Sequence, residues 1–231
     1  MNGLSELLDI GILWEYRRLV FAGLGVNFYV FACSLVIAFI VGVAISCGQI
    51  YGSPLLRRLL TVLAEFFRNV PDYVLLIWLY VALPVFLTKL LGQRITFAPV
   101  LTAIASLSLS YSVYFAETLR SGFQSTPPGQ TQSAQALGMM PGPILVRILI
   151  PQVLLKTSPE LMNVCISLFK TTSIVSLVAV PDLMYQISNI SSQVMRPVPL
   201  YTGGALIYVA IIVTASLLLR WYTQRLHDSR I

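Results

Sequence analysis

Between Leu19 and Leu56 the chain contains no charged residue. About 20 mainly apolar residues are enough to cross the hydrocarbon of a bilayer as a helix. This run therefore predicts one long span, Phe21 to Gly48, closed by the turn signal Gly52-Ser53-Pro54. A second apolar stretch, Leu59 to Thr88, is interrupted by Glu65, Arg68 and Asp72. A third, Ile95 to Ala116, is free of charge; a fourth, Leu161 to Val180, carries Lys170 at its middle; a fifth, Val198 to Leu219, is bounded by Arg196 and Arg220. The pattern predicts an all-α integral membrane protein with about five transmembrane helices, because a helix satisfies its own backbone hydrogen bonds where water is absent. Ahead of the first span, Leu4, Leu7, Leu8, Ile12 and Leu19 fit either a short interfacial amphipathic helix or a frayed end. No repeat of fixed period interrupts the chain, which reads as one domain.

Composition agrees. Of the 231 residues 57% are hydrophobic and 10% charged, with a mean hydropathy of +0.81. Soluble domains run at about 45–50% apolar and about 25% charged, so disordered, coiled-coil, collagen-like and disulfide-rich secreted classes are excluded. The net charge of +6 reads as basic residues held in cytoplasmic loops rather than as a nucleic-acid surface. With the N-terminus outside, Arg57, Arg58, Arg120, Arg147, Lys156, Arg220, Arg225 and Arg230 face the cytoplasm, while Arg17, Arg18, Lys89, Arg94 and Arg196 do not. The bias favours N-out and C-in, in keeping with an odd number of spans, which puts the termini on opposite sides. Cys33, Cys47 and Cys165 lie in apolar runs and read as small hydrophobes. His227 is the lone histidine, so no metal site is expected.

Enzyme chemistry finds no footing. There is no Ser/His/Asp order, no HExxH, no phosphate loop and no Rossmann glycine run, so any energy for active work must come from a partner. Charges within apolar spans are costly and mark a cavity or a partner. Arg68 and Asp72, four apart with Pro71 between them, are placed to pair on one helical face; Glu117 and Arg120, three apart, form a structural ion pair or a substrate contact. Lys170 is followed by Thr171, Thr172 and Ser173, hydroxyls that either bond back to carbonyls or line a wet path.

The polar stretch between the third and fourth spans has its own punctuation. Pro127-Pro128-Gly129 opens it, Thr131 to Leu137 is short and helix-competent, Gly138 breaks it, and Pro141-Gly142-Pro143 follows. A second short helix, Ile144 to Ile150, is expected to end at Pro151. A stiff knuckle of this kind can dock into a cleft on a soluble partner, with Ser133 and Ala134 small enough to permit close approach.

At this loop the sequence resembles a known family. Gln132-Ser133-Ala134, Gly138, Ile148 and Ile150-Pro151 are spaced as in the EAA loop of ABC importer permeases. Phe66-Phe67-Arg68-Asn69-Val70-Pro71 is similar to the Phe-Arg-Gly-Thr-Pro segment of the polar amino-acid uptake branch, and Phe169-Lys170-Thr171-Thr172-Ser173-Ile174 to its Leu-Lys-Asp-Thr-Ser-Leu segment. Between them, Ala116-Glu117 with Arg120, Gly122 and Ser125, then Gly129-Gln130, resemble a further run of that branch. The chain departs from the pattern at Gln132, where the family has Glu, at Ser133 for Ala, at Thr171 for Asp, and at Asp72, where many relatives carry Leu.

The resemblance implies a type I ABC importer permease fold: an N-terminal periplasmic or interfacial segment over 1–19, a single permease domain over 20–225, and a cytoplasmic coupling loop over 127–151. It implies a second permease copy or a sister chain, a dimer of ABC ATPases, a periplasmic amino-acid-binding protein, and a site in the bacterial inner membrane among its lipids. ATP would sit on the partner, and this chain would bind no cofactor. Gln132, Ser133, Ala134 and Gly138 would meet the ATPase. Arg68, Asp72, Glu117, Lys170, Thr172 and Ser173 would be candidates for the substrate path, a cation for the carboxylate and an acid for the ammonium. The segments around Trp78-Leu79-Tyr80 and Leu83-Pro84 resemble the glutamate/aspartate branch; Val70-Pro71-Asp72 looks more like permeases for cationic amino acids and opines. The rival of another class, an ion-gradient-driven secondary transporter, would show matched halves, which are absent from this sequence. A membrane enzyme would need convergent acids, bases or ligands.

Overall fold

The computed structural model describes residues 11–228, except the side chains of residue 220 and residues 222–228. Among the described residues all regular structure is helical. A single turn, α1 (Ile12–Glu15), leads into α2 (Arg17–Tyr51), α3 (Pro54–Asn69), α4 (Asp72–Leu91), α5 (Pro99–Gln124), α6 (Pro128–Ala136), α7 (Pro141–Val178), α8 (Leu183–Val194) and α9 (Pro197–Asp228). Five of these are long and apolar enough to cross a membrane: α2, α4, α5, α7 and the Pro197–Leu219 part of α9. Of the stretch expected to be amphipathic, Leu4 to Ile10 lies outside the described residues.

The five expected spans are present, but the second and fourth start elsewhere than expected. The second does not begin at Leu59. Val70 precedes a proline and is pushed out of helical geometry, and Pro71 has no N–H to continue a helix. The chain therefore breaks after Asn69, whose side-chain amide donates to the Glu65 carbonyl at 2.7 Å. Glu65 and Arg68 thus sit on α3, outside the span, and Asp72 opens α4. The fourth span is much longer than expected, and Lys170 occupies the last α-helical turn rather than its middle. Pro151 does not end a short helix; α7 runs through it.

How α7 passes its prolines is legible in the hydrogen bonds. A proline leaves the carbonyl four residues earlier without its donor and crowds it. For Pro151 that carbonyl belongs to Arg147, inside a π turn at Leu145–Leu149. For Pro84 in α4 it belongs to Tyr80, inside a π turn at Trp78–Ala82. The wider turn gives the ring room and shifts the bonding by one residue. For Pro159 the orphaned carbonyl is that of Leu155, and the Ser158 hydroxyl donates to it at 2.8 Å.

The chain packs as two compact units, each built from separated segments. Of the described residues, one contains 11–36, 70–108 and 166–217. Its apolar centre is Val20, Leu183, Ile187, Ile190 and Leu200, and Phe169 meets Phe28 and Tyr208 at a tilt and Phe31 edge-on, at centroid distances of 5.1, 6.2 and 5.5 Å. Small residues bring α2 and α5 close: Ser34 donates to the Ile104 carbonyl at 3.4 Å and Ser108 to that of Ser34 at 3.5 Å. The other unit contains 37–69, 109–165 and 218–228. There Phe39 meets Phe115 edge-on at 5.7 Å. The Lys156 ammonium donates to the Ser125 carbonyl at 2.9 Å, just past the end of α5, where a cation complements exposed carbonyls.

In the first unit Gly23 lies close against a neighbouring backbone. A Cβ there would lie 2.8 Å from the Cα and N of Leu183 and 2.9 Å from the carbonyl carbon of Asp182. These are backbone atoms that cannot step aside. Gly23→Ala is expected to destabilise this packing by roughly 1–3 kcal/mol, read as a lowered thermal midpoint of the detergent-purified protein; an unchanged midpoint would mean that the α8 start is not held against α2.

Candidate functional site

Two places in the structure gather the residues singled out by sequence. The first is α6. Pro128 occupies its first turn, where a missing N–H costs nothing. Its end is a glycine cap. The Met139 N–H donates to the Ala134 carbonyl at 3.1 Å and the Gly138 N–H to that of Gln135 at 2.9 Å, with Gly138 at φ +80°. This pair of bonds is the Schellman arrangement, with glycine at its left-handed position. No atom lies within 4 Å of where a Gly138 Cβ would stand. The glycine is therefore required by its backbone angle and not by lack of space.

The faces of α6 divide unequally. Ala134 is 4% exposed, so its small side chain seats the helix on its own unit and is not available to a partner, contrary to the expectation from sequence. Gln132 and Ser133 are exposed. Just beyond, Leu137 and Met140 are 84% and 75% exposed, so an uncharged helix presents a polar pair flanked by unburied apolar side chains. The start of α7 packs against it.

The second place is the end of α7, which tightens into a 3₁₀ turn over Thr172–Val178. Thr172 is fully buried, while Lys170 is exposed. The hydroxyls of the run bond back along the chain: Thr171 to the Ser167 carbonyl at 3.0 Å, Thr172 to that of Phe169 at 2.7 Å and Ser173 to that of Lys170 at 2.9 Å. The beginning of α4, which carries Asp72, packs on this turn, so Asp72 and the Thr172–Ser173 run share a neighbourhood in one unit.

The remaining candidates are placed otherwise. Arg68 does not pair with Asp72; the helix break at Pro71 separates them, and the Arg68 guanidinium meets Glu65 on α3 at 2.7 Å. Glu117 and Arg120 form the expected pair, with contacts of 2.6 and 3.2 Å, near the end of α5. Both of these pairs lie in the second unit.

Sequence reasoning missed a buried polar group in the first unit. Asn27, Thr172 and Asp182 are each 0% exposed. The Asn27 amide donates to Thr172 Oγ1 at 3.2 Å and to Asp182 Oδ2 at 3.2 Å, and its oxygen accepts from the Leu183 N–H at 3.0 Å. Asp182 also caps α8, accepting from the Tyr185 N–H at 2.9 Å. The available signals were an amide placed one turn after Gly23 in a charge-free run, and an acid following Pro181 before an apolar run, which reads as a helix cap.

Residues 34–228 match the family described as the binding-protein-dependent transport system inner membrane component. The chain belongs to that family. The permease is 28% identical to the L-cystine transport system permease protein of Bacillus subtilis (strain 168), over 95% of this chain and 90% of that one. It is 30% identical to the probable glutamine ABC transporter permease protein GlnP of the same organism, over 89% and 93%. It is also 30% identical to the glutamate/aspartate import permease protein of Escherichia coli O6:H1, over 69% and 71%. Among solved structures, the permease superposes on a chain of an amino acid ABC transporter with histidines at a TM-score of 0.84, with 26% identity over 94% of this chain and 98% of that one. It shares the fold of the MetNI methionine ABC transporter in an inward-facing conformation, at a TM-score of 0.70, with 20% identity over 93% and 97%. The protein is an amino-acid ABC importer permease with the type I fold, a multi-pass protein of the inner membrane.

Because left-handed geometry costs an ordinary residue about 1–2 kcal/mol while Asn tolerates it, Gly138→Val is expected to loosen the α6 cap of the permease and Gly138→Asn to keep it. Hydrogen exchange at the Gly138 and Met139 amides reads this directly; equal protection in all three proteins would show that the cap does not depend on the glycine.

Proposed function

We propose that α6 is the point at which an ATP-hydrolysing partner drives this permease. The single observation behind this reading is the rigid, uncharged α6, glycine-capped and presenting Gln132, Ser133 and the apolar Leu137 and Met140 outward. A helix capped at its C-terminal end and seated through Ala134 transmits displacement instead of absorbing it, and an exposed apolar rim rewards burial in a cleft. The carboxamide at position 132 offers hydrogen bonds without charge, so the docking should be little affected by salt. The chain acts as one permease domain over 20–225, with α6 and its flanks in the cytoplasm, the N-terminus periplasmic and the C-terminus inside. A dimer of ABC ATPases binds ATP below it, a second permease copy or a sister chain completes the pore, and a periplasmic binding protein presents the amino acid. Closure of the ATPases moves α6 and shifts the membrane helices between two arrangements, the partners biasing that equilibrium.

For cargo we propose polar amino acids, with glutamate and aspartate first. Two candidate cations, Arg68 and Lys170, suit additional carboxylate, and Lys170 is exposed at the helix end where Thr172 and Ser173 follow. A second reading, cationic amino acids or opines, draws on the Arg68–Glu65 pair, which leaves less positive charge on α3. Asp72 beside the Thr172–Ser173 run is the acid that would meet an ammonium, and Glu117 is the other.

Detergent capture of the tagged permease from its native membrane is expected to recover an ATPase whose hydrolysis is stimulated most by glutamate or aspartate across an amino-acid panel. Gly138→Val should lose that ATPase and Gly138→Asn retain it. Arg68→Ala should abolish uptake with the complex still assembled. Recovery of the ATPase by Gly138→Val at wild-type yield would remove α6 from the coupling role, and unchanged uptake by Arg68→Ala would reduce Arg68 to a structural partner of Glu65.

A further inference from the structure

The Asn27 group lies in the same unit as the Thr172–Ser173 run and uses Thr172 as one of its members. Three segments meet there. Asn27 comes from α2, Thr172 opens the 3₁₀ turn, and Asp182 stands at the start of α8. One carboxamide holds all three, donating to Thr172 Oγ1 and Asp182 Oδ2 and accepting from the Leu183 N–H. Gly23, one turn earlier on the same face of α2, lets the Asp182–Leu183 backbone come close enough for that last bond. The segment between Thr172 and Asp182 is thereby fixed at both ends to a single side chain.

We propose that Asn27 and Asp182 are positioning residues for transport, a buried clamp that sets the 3₁₀ turn so that Lys170 and Ser173 stay directed to the substrate path. The proposal rests on the reading that this turn lines the path. A purely apolar contact at this place would hold the segments together without fixing their register. A carboxamide with donors and acceptor all engaged permits one arrangement, since any slip strands a buried polar group at a cost of about 1–3 kcal/mol.

The charge at the clamp is unusual. Burial pushes the Asp182 carboxyl up to about 6, opposed by hydrogen bonds from the Tyr185 N–H, the Asn27 amide and the Met184 N–H. The charged side chains that this unit's helices and the α8–α9 corner carry are Arg17 and Arg18 on α2, Asp72 and Lys89 on α4, Lys170 on α7, and Arg196; burial is the largest influence on the Asp182 carboxyl, ahead of its hydrogen bonds. From α9, the buried Tyr208 hydroxyl lies beside the Asn27 side chain and within electrostatic reach of Asp182. The sign follows: the native state favours the neutral acid, so this group's contribution to stability is present at acid pH and is lost as pH rises through about 6.

A charge exchange tests the clamp. Asn27→Asp sets two buried carboxylates against each other, and a close pair cannot both ionise. In the complete reconstituted transporter, with uptake expressed per assembled complex, Asn27→Asp is expected to lose about tenfold or more at pH 8 and to recover in large part at pH 5, where the pair shares a proton. Asn27→Leu should be defective at both pH values. The double variant Asn27→Asp with Asp182→Asn restores one acid and one amide, keeps the α8 cap and the Leu183 bond, and should return uptake at pH 8 to within about threefold of the original, since only the donor to Thr172 is missing. A pH-independent defect in Asn27→Asp, wild-type uptake by it at pH 8, or failure of the double variant to recover would each overturn the clamp. Lys170→Gln and Ser173→Ala, measured alongside, report on the path itself. Normal uptake by both would overturn the path reading, and the positioning role with it. Loss in those two with an Asn27 series indistinguishable from wild type would leave the path standing and overturn the clamp alone.

Discussion

In hydrocarbon a backbone carbonyl that loses its donor has no water to turn to. That constraint shapes the helices of this permease more than any propensity does. Prolines stand inside two of the spanning helices, and each is matched by a local remedy. The carbonyls orphaned by Pro84 and Pro151 fall within π turns, and that of Pro159 receives the Ser158 hydroxyl. Where no remedy is built in, at Val70-Pro71, the chain breaks and a new helix starts at Asp72. The result is a set of long spans with wide turns at set places, and one deliberate interruption between α3 and α4.

The same economy governs the polar groups that are buried. Asn27, Thr172 and Asp182 are fully enclosed, and each has its hydrogen bonds. A satisfied network in a low-dielectric setting fixes geometry, because every alternative leaves a group unpaired. In the second unit the fixing device is different. There α6 is closed by a glycine-dependent cap and packed through Ala134, leaving Gln132 and Ser133 free to face outward. One unit thus holds its key turn from within by a side-chain clamp, and the other holds its exposed helix from the end by a backbone one.

Much of this was legible in the sequence. The apolar runs announced five spans because transfer to lipid depends chiefly on composition and length. Gly138 announced a helix end, since left-handed geometry selects glycine over other residues. What was not legible depended on context. Pro151 reads as a terminator unless one knows that the preceding turn has widened. Arg68 and Asp72 read as a pair because four-residue spacing matters only if the helix is continuous, and Pro71 sets that condition aside. Lys170 seemed central to its span because the span's true start, at Pro141, is hidden behind glycine and proline. Asn27 offered only an isolated amide, and its partners lie 145 and 155 residues away.

Family membership and fold join these details to amino-acid transport; the function we propose has α6 carry the input from a partner's nucleotide cycle and the turn after Lys170 meet the cargo. The most direct test is the sidedness of α6. With Cys33, Cys47 and Cys165 changed to Ala, a Gln132→Cys permease is treated with a membrane-impermeant thiol reagent. The account predicts no labelling from the outside of sealed spheroplasts, labelling in inverted vesicles stripped of peripheral subunits, and protection when the ATPase is restored. Labelling from the outer face, or protection that persists in stripped inverted vesicles, would contradict it.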